Sequence, residues 1–180
     1  MDHDEELILR LTSEKTKETA FKELLNLYKE RLYWHIRKIV MSHDDADDVL
    51  QNTFIKIYKN IHSFKGESKL YSWMYRIATN EAITHLKTNA RLKSITSEEL
   101  QQQTIENLQA DVYFEGIDIQ LKLQKAIATL PLKQKLVFNM RYFDDLKYSE
   151  MSEILETSEG ALKASYHIAV KKIEAYLTND

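Results

Sequence analysis

One proline and three glycines serve 180 residues, and this scarcity limits the fold more than any other property of the chain. A β architecture of this length reverses direction many times, and its tight turns draw on Gly and Pro. Neither residue occurs before Gly66; there Asp4 to Leu11 reads as a short amphipathic helix, Thr12 to Lys17 as a polar break, and longer elements follow. The apolar residues say which kind. Phe21, Leu24, Leu25, Tyr28, Leu32, Ile36, Ile39 and Val40 recur at the spacing of one helix face. Leu50, Phe54, Ile57 and Ile61 repeat it, as do Leu70, Met74, Ile77 and Ala78. The expected fold class is all-α.

The chain divides by texture. Residues 90–118 are rich in Gln, Glu, Ser and Thr, with Leu100, Ile105, Leu108, Val112 and Phe114 thinly spread among them. That composition reads as an acidic polar linker, with Gly116 near its end. It joins a small helical domain over 1–89 to a second over 119–180. In the second, a helix ends at Leu130-Pro131, and the proline suits the start of the next helix, over 132–143. Asp144-Asp145-Leu146 turns the chain. Residues 148–155 read as a short helix, 156–158 as a tight connection capped by Ser158, and 159–177 as a long final helix. There Leu162, Tyr166, Ala169, Ile173 and Leu177 face inward, while Lys163, His167 and Lys171 recur every four residues on another face. A short helix, a tight turn and a longer helix with a basic stripe have the form of a helix-turn-helix, whose second helix enters the major groove. An ordinary α-hairpin with a solvated lysine stripe has the same spacing, so both readings stand at this point.

The formal net charge is −3, which is unlike a protein held on DNA by its own charge. Its distribution is informative. Residues 1–89 hold 14 basic and 14 acidic side chains, 90–118 hold 2 and 6, and 119–180 hold 9 and 8. The excess of acid sits in the linker, and the flanks are balanced. Nucleic-acid contacts therefore come from local patches, with weak binding by the chain alone and help from a larger partner.

One such patch lies in residues 64–87, FKGESKLYSWMYRIATNEAITHLK. A polar loop around Gly66 leads into a helix from Leu70, and at 100° per residue Trp73, Arg76, Asn80 and Lys87 share one side. Rings stack on unpaired bases, an amide reads a base edge, and cations neutralise phosphate. Trp73 as a core anchor beside an exposed Arg76 is the competing reading. Upstream, Ile55 lies on a polar face with Asp47, Asp48 and Gln51, either as a scattered surface residue or as part of a helix-docking patch. Arg31, Arg37 and Lys38 fall off the apolar stripe of their helix and are expected to form a solvated face.

Other chemistries find no support. There are no cysteines, hence no disulfides or thiolate metal sites. His43-Asp44 invites a metal reading, but His3, His35, His62, His85 and His167 show no ligand spacing around it. The acids of SHDDADD fit the start of a helix, with Ser42 or Asp44 as cap. No nucleophile and base pair or phosphate loop is visible, so no catalysis and no cofactor are expected. The acidic start, MDHDEELILR, lacks a signal-peptide run, and no stretch approaches the ~20 apolar residues of a membrane span. A cytoplasmic protein without membrane insertion is expected.

The patches, in order, resemble a known family. DDADDVLQNTFIKIYKNIHSF, GESKLYSWMYRIATNEAITHLK and LPLKQKLVFNMRYFDDLKYSEMSEIL followed by SEGALKASYHIAVKKIEAYL are similar to the corresponding segments of bacterial RNA polymerase sigma factors of the extracytoplasmic-function (ECF) type, within the sigma-70 family. The resemblance covers nearly the whole chain; the linker matches in length and polarity only. It implies a region 2-like domain that docks on core polymerase and melts the minus-ten element, and a region 4-like domain that reads the minus-thirty-five element. Asp47, Asp48, Gln51, Phe54 and Ile55 match the positions that dock on the clamp helices of the largest polymerase subunit. Lys65, Ser68 and Lys69 match the loop that captures a flipped minus-ten base, and Trp73, Tyr75, Arg76, Asn80 and Lys87 match the helix behind it. Ala161, Lys163, Ser165, His167 and Lys171 match positions facing the minus-thirty-five DNA. The implied partners are core RNA polymerase, promoter DNA and an anti-sigma factor, with the free chain a monomer.

Several positions depart from the family pattern. Thr84 stands where the family often has Asp, and Glu156 where the helix-turn-helix often has Gly. Ala161 and Ser165 replace the common Thr and Arg, and Ile168 a common basic residue, so the recognition helix is poor in base-reading groups. Two further functional classes stand beside the sigma reading. An autonomous helix-turn-helix repressor or activator would bind duplex DNA tightly as a dimer on paired half-sites. A helical adaptor would bind no DNA and would tolerate charge reversal at Lys163 and Lys171.

Overall fold

The computed structural model describes residues 3–109 and 118–178, and among them all regular structure is helical. Helix α1 (His3–Thr12) precedes the longest element, α2 (Lys17–Val40). Met41 closes α2 in the left-handed conformation, φ 57°, its N–H bonded to the Arg37 carbonyl at 2.8 Å. Ser42 then opens α3 (His43–Asn60) as an N-cap, its Oγ accepting from the Asp45 N–H at 3.3 Å. Two residues thus reverse the chain, and α2 and α3 pack as an antiparallel pair. A single 3-10 turn (Ile61–Ser63) and a loop around Gly66, φ 72°, lead into α4 (Leu70–Leu92). Leu24, Leu32, Ile36, Ile57, Met74 and Ala78 are buried where α2, α3 and α4 meet.

The expected polar linker is partly structured. Helix α4 runs beyond residue 89, and α5 (Ser97–Gln109) follows. Thr96 and Glu99 form a reciprocal capping box, Thr96 N–H to Glu99 Oε2 at 2.6 Å and Glu99 N–H to Thr96 Oγ1 at 3.2 Å. Helix α5 packs on α6 (Asp118–Ala128) by burying Leu108 with Met41 and Ala128, and Gln101 Nε2 donates to the Ala128 carbonyl at 2.7 Å. Residues 110–117, including Val112, Phe114 and Gly116, lie outside the described residues.

Pro131 breaks the chain as expected, and α7 (Leu132–Tyr142), α8 (Tyr148–Leu155) and α9 (Glu159–Thr178) complete it. Glu156 takes the left-handed conformation between α8 and α9, φ 50° and ψ 43°. The turn keeps the geometry a glycine would favour, with a carboxylate residue in its place. Ala126, Ile127, Leu130, Phe138, Ala169 and Ile173 form a core within this half. Leu136, Val137, Met140, Leu146, Met151, Ile154 and Leu162, however, join the core of α2 to α4. Helix α8 lies across α4, and α7 crosses α2. The two helical halves are closed on one another through an apolar seam.

That seam overturns one expectation. Arg37 is buried, and Lys38, expected on a solvated face, is held by Asp144 Oδ1 at 2.6 Å. The helical wheel placed both off the internal core of their own half; the second half supplies another surface to cover them.

Candidate nucleic-acid and polymerase interfaces

The first candidate surface is built on α3. Asp47, Asp48, Gln51 and Ile55 are exposed, and Ile55 leaves half of its side chain in solvent, 50%. Phe54 is largely buried, its ring 6.2 Å from Phe21 in an edge-on contact. Phe21, Leu25, Phe54, Ile55 and Tyr58 line an open groove of about 590 Å³ between α2 and α3. Lys17 caps the Tyr58 ring at 4.3 Å, and Lys29 and Lys59 edge the groove. An apolar floor with charged margins suits a helix or helical hairpin laid across it.

The second surface is the loop at residues 64–69 with the start of α4. Lys65 and Lys69 are exposed, Ser68 is half-buried, and Asn80 and Lys87 are exposed farther along. Trp73 and Tyr75 depart from the expected DNA-facing set. Trp73 is only 9% exposed, packed at 5.4 Å against Phe64 where the loop folds back over the helix. Its ring still walls a cavity of about 390 Å³ with Phe64, Lys65 and Arg76. Tyr75 is fully buried: its hydroxyl accepts from Arg31 Nε at 3.1 Å, and its ring lies 4.4 Å from that of His35. Burial first, then the nearby Asp144 carboxylate, pushes the Tyr75 hydroxyl well above its ordinary pKa. Tyr75 is therefore a packing residue of the interdomain seam, and no DNA contact is assigned to it.

Helix α8 lies over this second surface with its carboxylates against the cations. Glu150 Oε1 meets Lys69 Nζ at 2.9 Å, and Glu156 Oε1 meets Arg76 Nη1 at 3.4 Å. Glu153 lines the cavity that Trp73 walls. Desolvation would raise the Glu150 carboxyl; donation from the Tyr71 hydroxyl and the Lys147 amide, together with the Lys69 ammonium, holds it down at about 2. Conversely, burial and then Glu150 push Tyr71 up to about 12. Lys69 and Arg76 are thus paired with carboxylates of the same chain.

A polar cluster fastens the closed arrangement from the other side. His35 and Asp144 are 1% and 6% exposed at the side chain, with His35 Nδ1 2.9 Å from Asp144 Oδ2. His35 Nε2 lies 2.8 Å from Thr79 Oγ1, and Asn139 Nδ2 donates to the Lys38 carbonyl at 3.2 Å. Burial opposes the charge on Asp144, and His35 and Lys38 outweigh it, so its carboxyl is held below the usual range. Sequence reading treated Asp144 as a turn residue and His35 as an isolated histidine. Nothing local signals the pair, because 109 positions separate them.

The third surface is the α8–α9 pair. Ser158 Oγ accepts from the Ala161 N–H at 3.4 Å, and the Glu150 carboxylate accepts from the Lys147 N–H at 2.9 Å, capping both helices. Leu162, Ala169 and Ile173 anchor α9 inward. Ala161, Lys163, His167 and Lys171 are exposed, and Ser165 is half-buried. Lys163 Nζ sits 3.6 Å from Glu159 and 5.5 Å from the Tyr148 ring centroid. Among the described residues no cluster of His, Asp and Glu is placed to hold a metal ion, and no helix is long and apolar enough to cross a membrane.

This order of surfaces coincides with two family models: Sigma-70 region 2 matches residues 24–92 and Sigma-70, region 4 matches residues 120–173. The chain belongs to the sigma-70 family, in its ECF branch. Among curated relatives, the sigma-70 chain is 29% identical to the ECF RNA polymerase sigma-E factor of Haemophilus influenzae, over 95% of this chain and 93% of the relative. It is 26% identical to the ECF RNA polymerase sigma factor SigW of Bacillus subtilis, over 85% and 86%. Its fold resembles CnrH, solved in complex with the cytosolic domain of CnrY, with a TM-score of 0.73 at 18% identity over 99% of both chains. It also resembles the sigma factor RpoE of Bartonella quintana, solved with the anti-sigma factor NepR, with a TM-score of 0.68 at 20% identity over 89% and 98%. The sigma-70 matches run through α2 to α4 and α6 to α9, so the first two surfaces fall in region 2 and the third in region 4.

Proposed function

We propose that this chain directs core RNA polymerase to specific promoters and assists their melting, acting by binding and without catalysis. The single observation that carries the reading is the ordered pair of sigma-70 regions, 2 then 4, on one short chain. In this reading the α3 groove with Asp47, Asp48, Gln51, Phe54 and Ile55 docks on the polymerase clamp. The α9 face with Ala161, Lys163, Ser165, His167 and Lys171 enters the minus-thirty-five major groove. Lys65, Ser68, Lys69, Trp73, Arg76, Asn80 and Lys87 hold melted minus-ten DNA, with the cavity beside Trp73 receiving an unstacked base. Opening a base step costs a few kcal/mol. A base on an aromatic wall regains about 1–3 kcal/mol. Capture of one or two bases is thus on the scale needed to tip a duplex already bent on polymerase.

The closed arrangement supports a division of states. With Glu150, Glu153 and Glu156 over the minus-ten face, the free chain is a weak DNA binder, and the two halves separate on polymerase. CnrH was solved with the cytosolic domain of CnrY and the Bartonella RpoE with the anti-sigma factor NepR, and an anti-sigma factor fits the present chain as well. The site of action is the cytoplasm, and the free chain is a monomer.

Run-off transcription with core polymerase, with and without this chain, tests the reading. Promoter-specific transcripts only in its presence are expected. Asn80→Ala should retain core binding and reduce open-complex formation. Absence of core binding together with tight duplex binding by the free protein would refute the reading and favour an autonomous repressor.

A further inference from the structure

Resting on the assignment of α9 to the minus-thirty-five groove, we propose that this chain selects its element by apolar contact between Ile168, Ala164 and Ala161 and the 5-methyl groups of thymine. The exposed face of α9 has an unusual make-up for a reading helix. At 100° per residue, Gly160, Ala164, Ile168 and Ala161 fall within a sector of about 100°, which Lys171 shares farther along the helix, and all are exposed. Ile168 leaves 44% of its surface in solvent and belongs to neither core of this half. His167 borders the sector, Lys171 lies one turn farther on, and Lys163 is turned to the flank by Glu159 and the Tyr148 ring.

Gly160 adds a separate observation. A Cβ built there meets no atom within 4 Å, and its φ is not in the left-handed region, so neither packing nor backbone geometry requires a glycine. Its missing side chain lets the helix backbone approach a surface closely. With alanine at 161 and 164, the first turns of α9 can sit deep in the groove.

The chemistry of the groove then selects the base. Guanine, cytosine and adenine present donors and acceptors at their major-groove edges, and thymine adds a methyl group that apolar side chains touch. Alanine and isoleucine touch that methyl, which a G·C pair lacks, so the preference for thymine comes from the added apolar contact. Lys171 and Lys172 remain for phosphates, which fix register and carry no sequence information.

The test uses the holoenzyme. A promoter library randomised over the minus-thirty-five segment is transcribed by core polymerase loaded with the full chain, which fixes the element. Each thymine in it is then replaced by deoxyuridine, which removes the methyl and keeps base pairing. Initiation should fall about fourfold at one or more thymines, the factor carried by burial of one methyl-sized group. Ile168→Ala should lower initiation on the thymine template and abolish the difference at its position, and its exposed site leaves the fold intact. Lys171→Ala should weaken thymine and deoxyuridine templates equally. Equal initiation from thymine and deoxyuridine at every position, or a recovered element without thymine, overturns the inference while leaving the sigma reading standing. No initiation from any library member removes the reading on which it rests.

Discussion

Replacing Asp144 by asparagine should release the C-terminal half from the N-terminal half. The substitution keeps shape and volume and removes one charge at the seam. Asp144 serves both His35 at 2.9 Å and Lys38 at 2.6 Å, with only 6% of its side chain exposed. Breaking a buried ion pair by neutralising one partner costs about 3–5 kcal/mol. Lys38 keeps 18% of its side chain in solvent and can turn its ammonium outward, and the amide retains one neutral hydrogen bond. The expected loss is therefore nearer 2–3 kcal/mol, which moves the closed-to-open ratio by roughly 30- to 150-fold. The chain has no cysteine, so one label placed by Asn52→Cys on α3 and another by Lys172→Cys on α9 report the separation by energy transfer. The asparagine variant should show a new population at longer distance, and it should bind minus-ten single-stranded DNA more tightly because Lys69 and Arg76 are uncovered. Circular dichroism should keep its helical signal, since Ala126, Ile127, Leu130, Phe138, Ala169 and Ile173 still pack on one another within the C-terminal half. An unchanged distance distribution would refute the assignment of Asp144 as the fastener.

Acidification should open the molecule as well. Glu150 is held at about 2, below its ordinary value, and Asp144 is also lowered, so both stabilise the closed form when ionised. Their contribution is complete above the ordinary carboxyl range and fades as pH falls through it toward about 2, which small-angle scattering would record as a growing radius of gyration. Ile55→Lys should weaken core polymerase binding at least tenfold, read by competition with a second sigma factor, and leave the melting temperature within a degree or two because the side chain is half exposed. Glu156→Gly should raise the stability of the C-terminal half by about 0.5–1 kcal/mol in urea unfolding, since it relieves a left-handed φ of 50° and loses only the 3.4 Å exposed pair with Arg76. Met151→Ala, at a fully buried position in the shared core, should cost about 2–5 kcal/mol by the same assay and shift the closed form toward the open one.

The sequence alone determined the helices and their order. The breakers are so few, and the apolar period so regular, that α2, α3, the start of α4 and α7 to α9 were legible within a residue or two, while the end of α4 ran into the expected linker. Helix α5 carried its own signal as well, the Thr96 to Glu99 capping box, which the sparse apolar residues around it obscured. The polar face of α3 with Ile55 and the basic stripe of α9 were also readable, because exposure there follows from helix geometry within one element.

The tertiary structure decided what the helical wheel could not. A wheel sorts residues into inside and outside for one helix against its own half, and here a second half covers part of the outside. Tyr75 turned inward and Arg37 and Lys38 were enclosed for that reason, while Trp73 was covered by Phe64 of the loop that precedes its helix. The pairs His35 with Asp144, Lys69 with Glu150 and Arg76 with Glu156 join positions 80 or more apart in sequence. Their energies depend on distance and desolvation, which are properties of the closed seam and of no segment by itself.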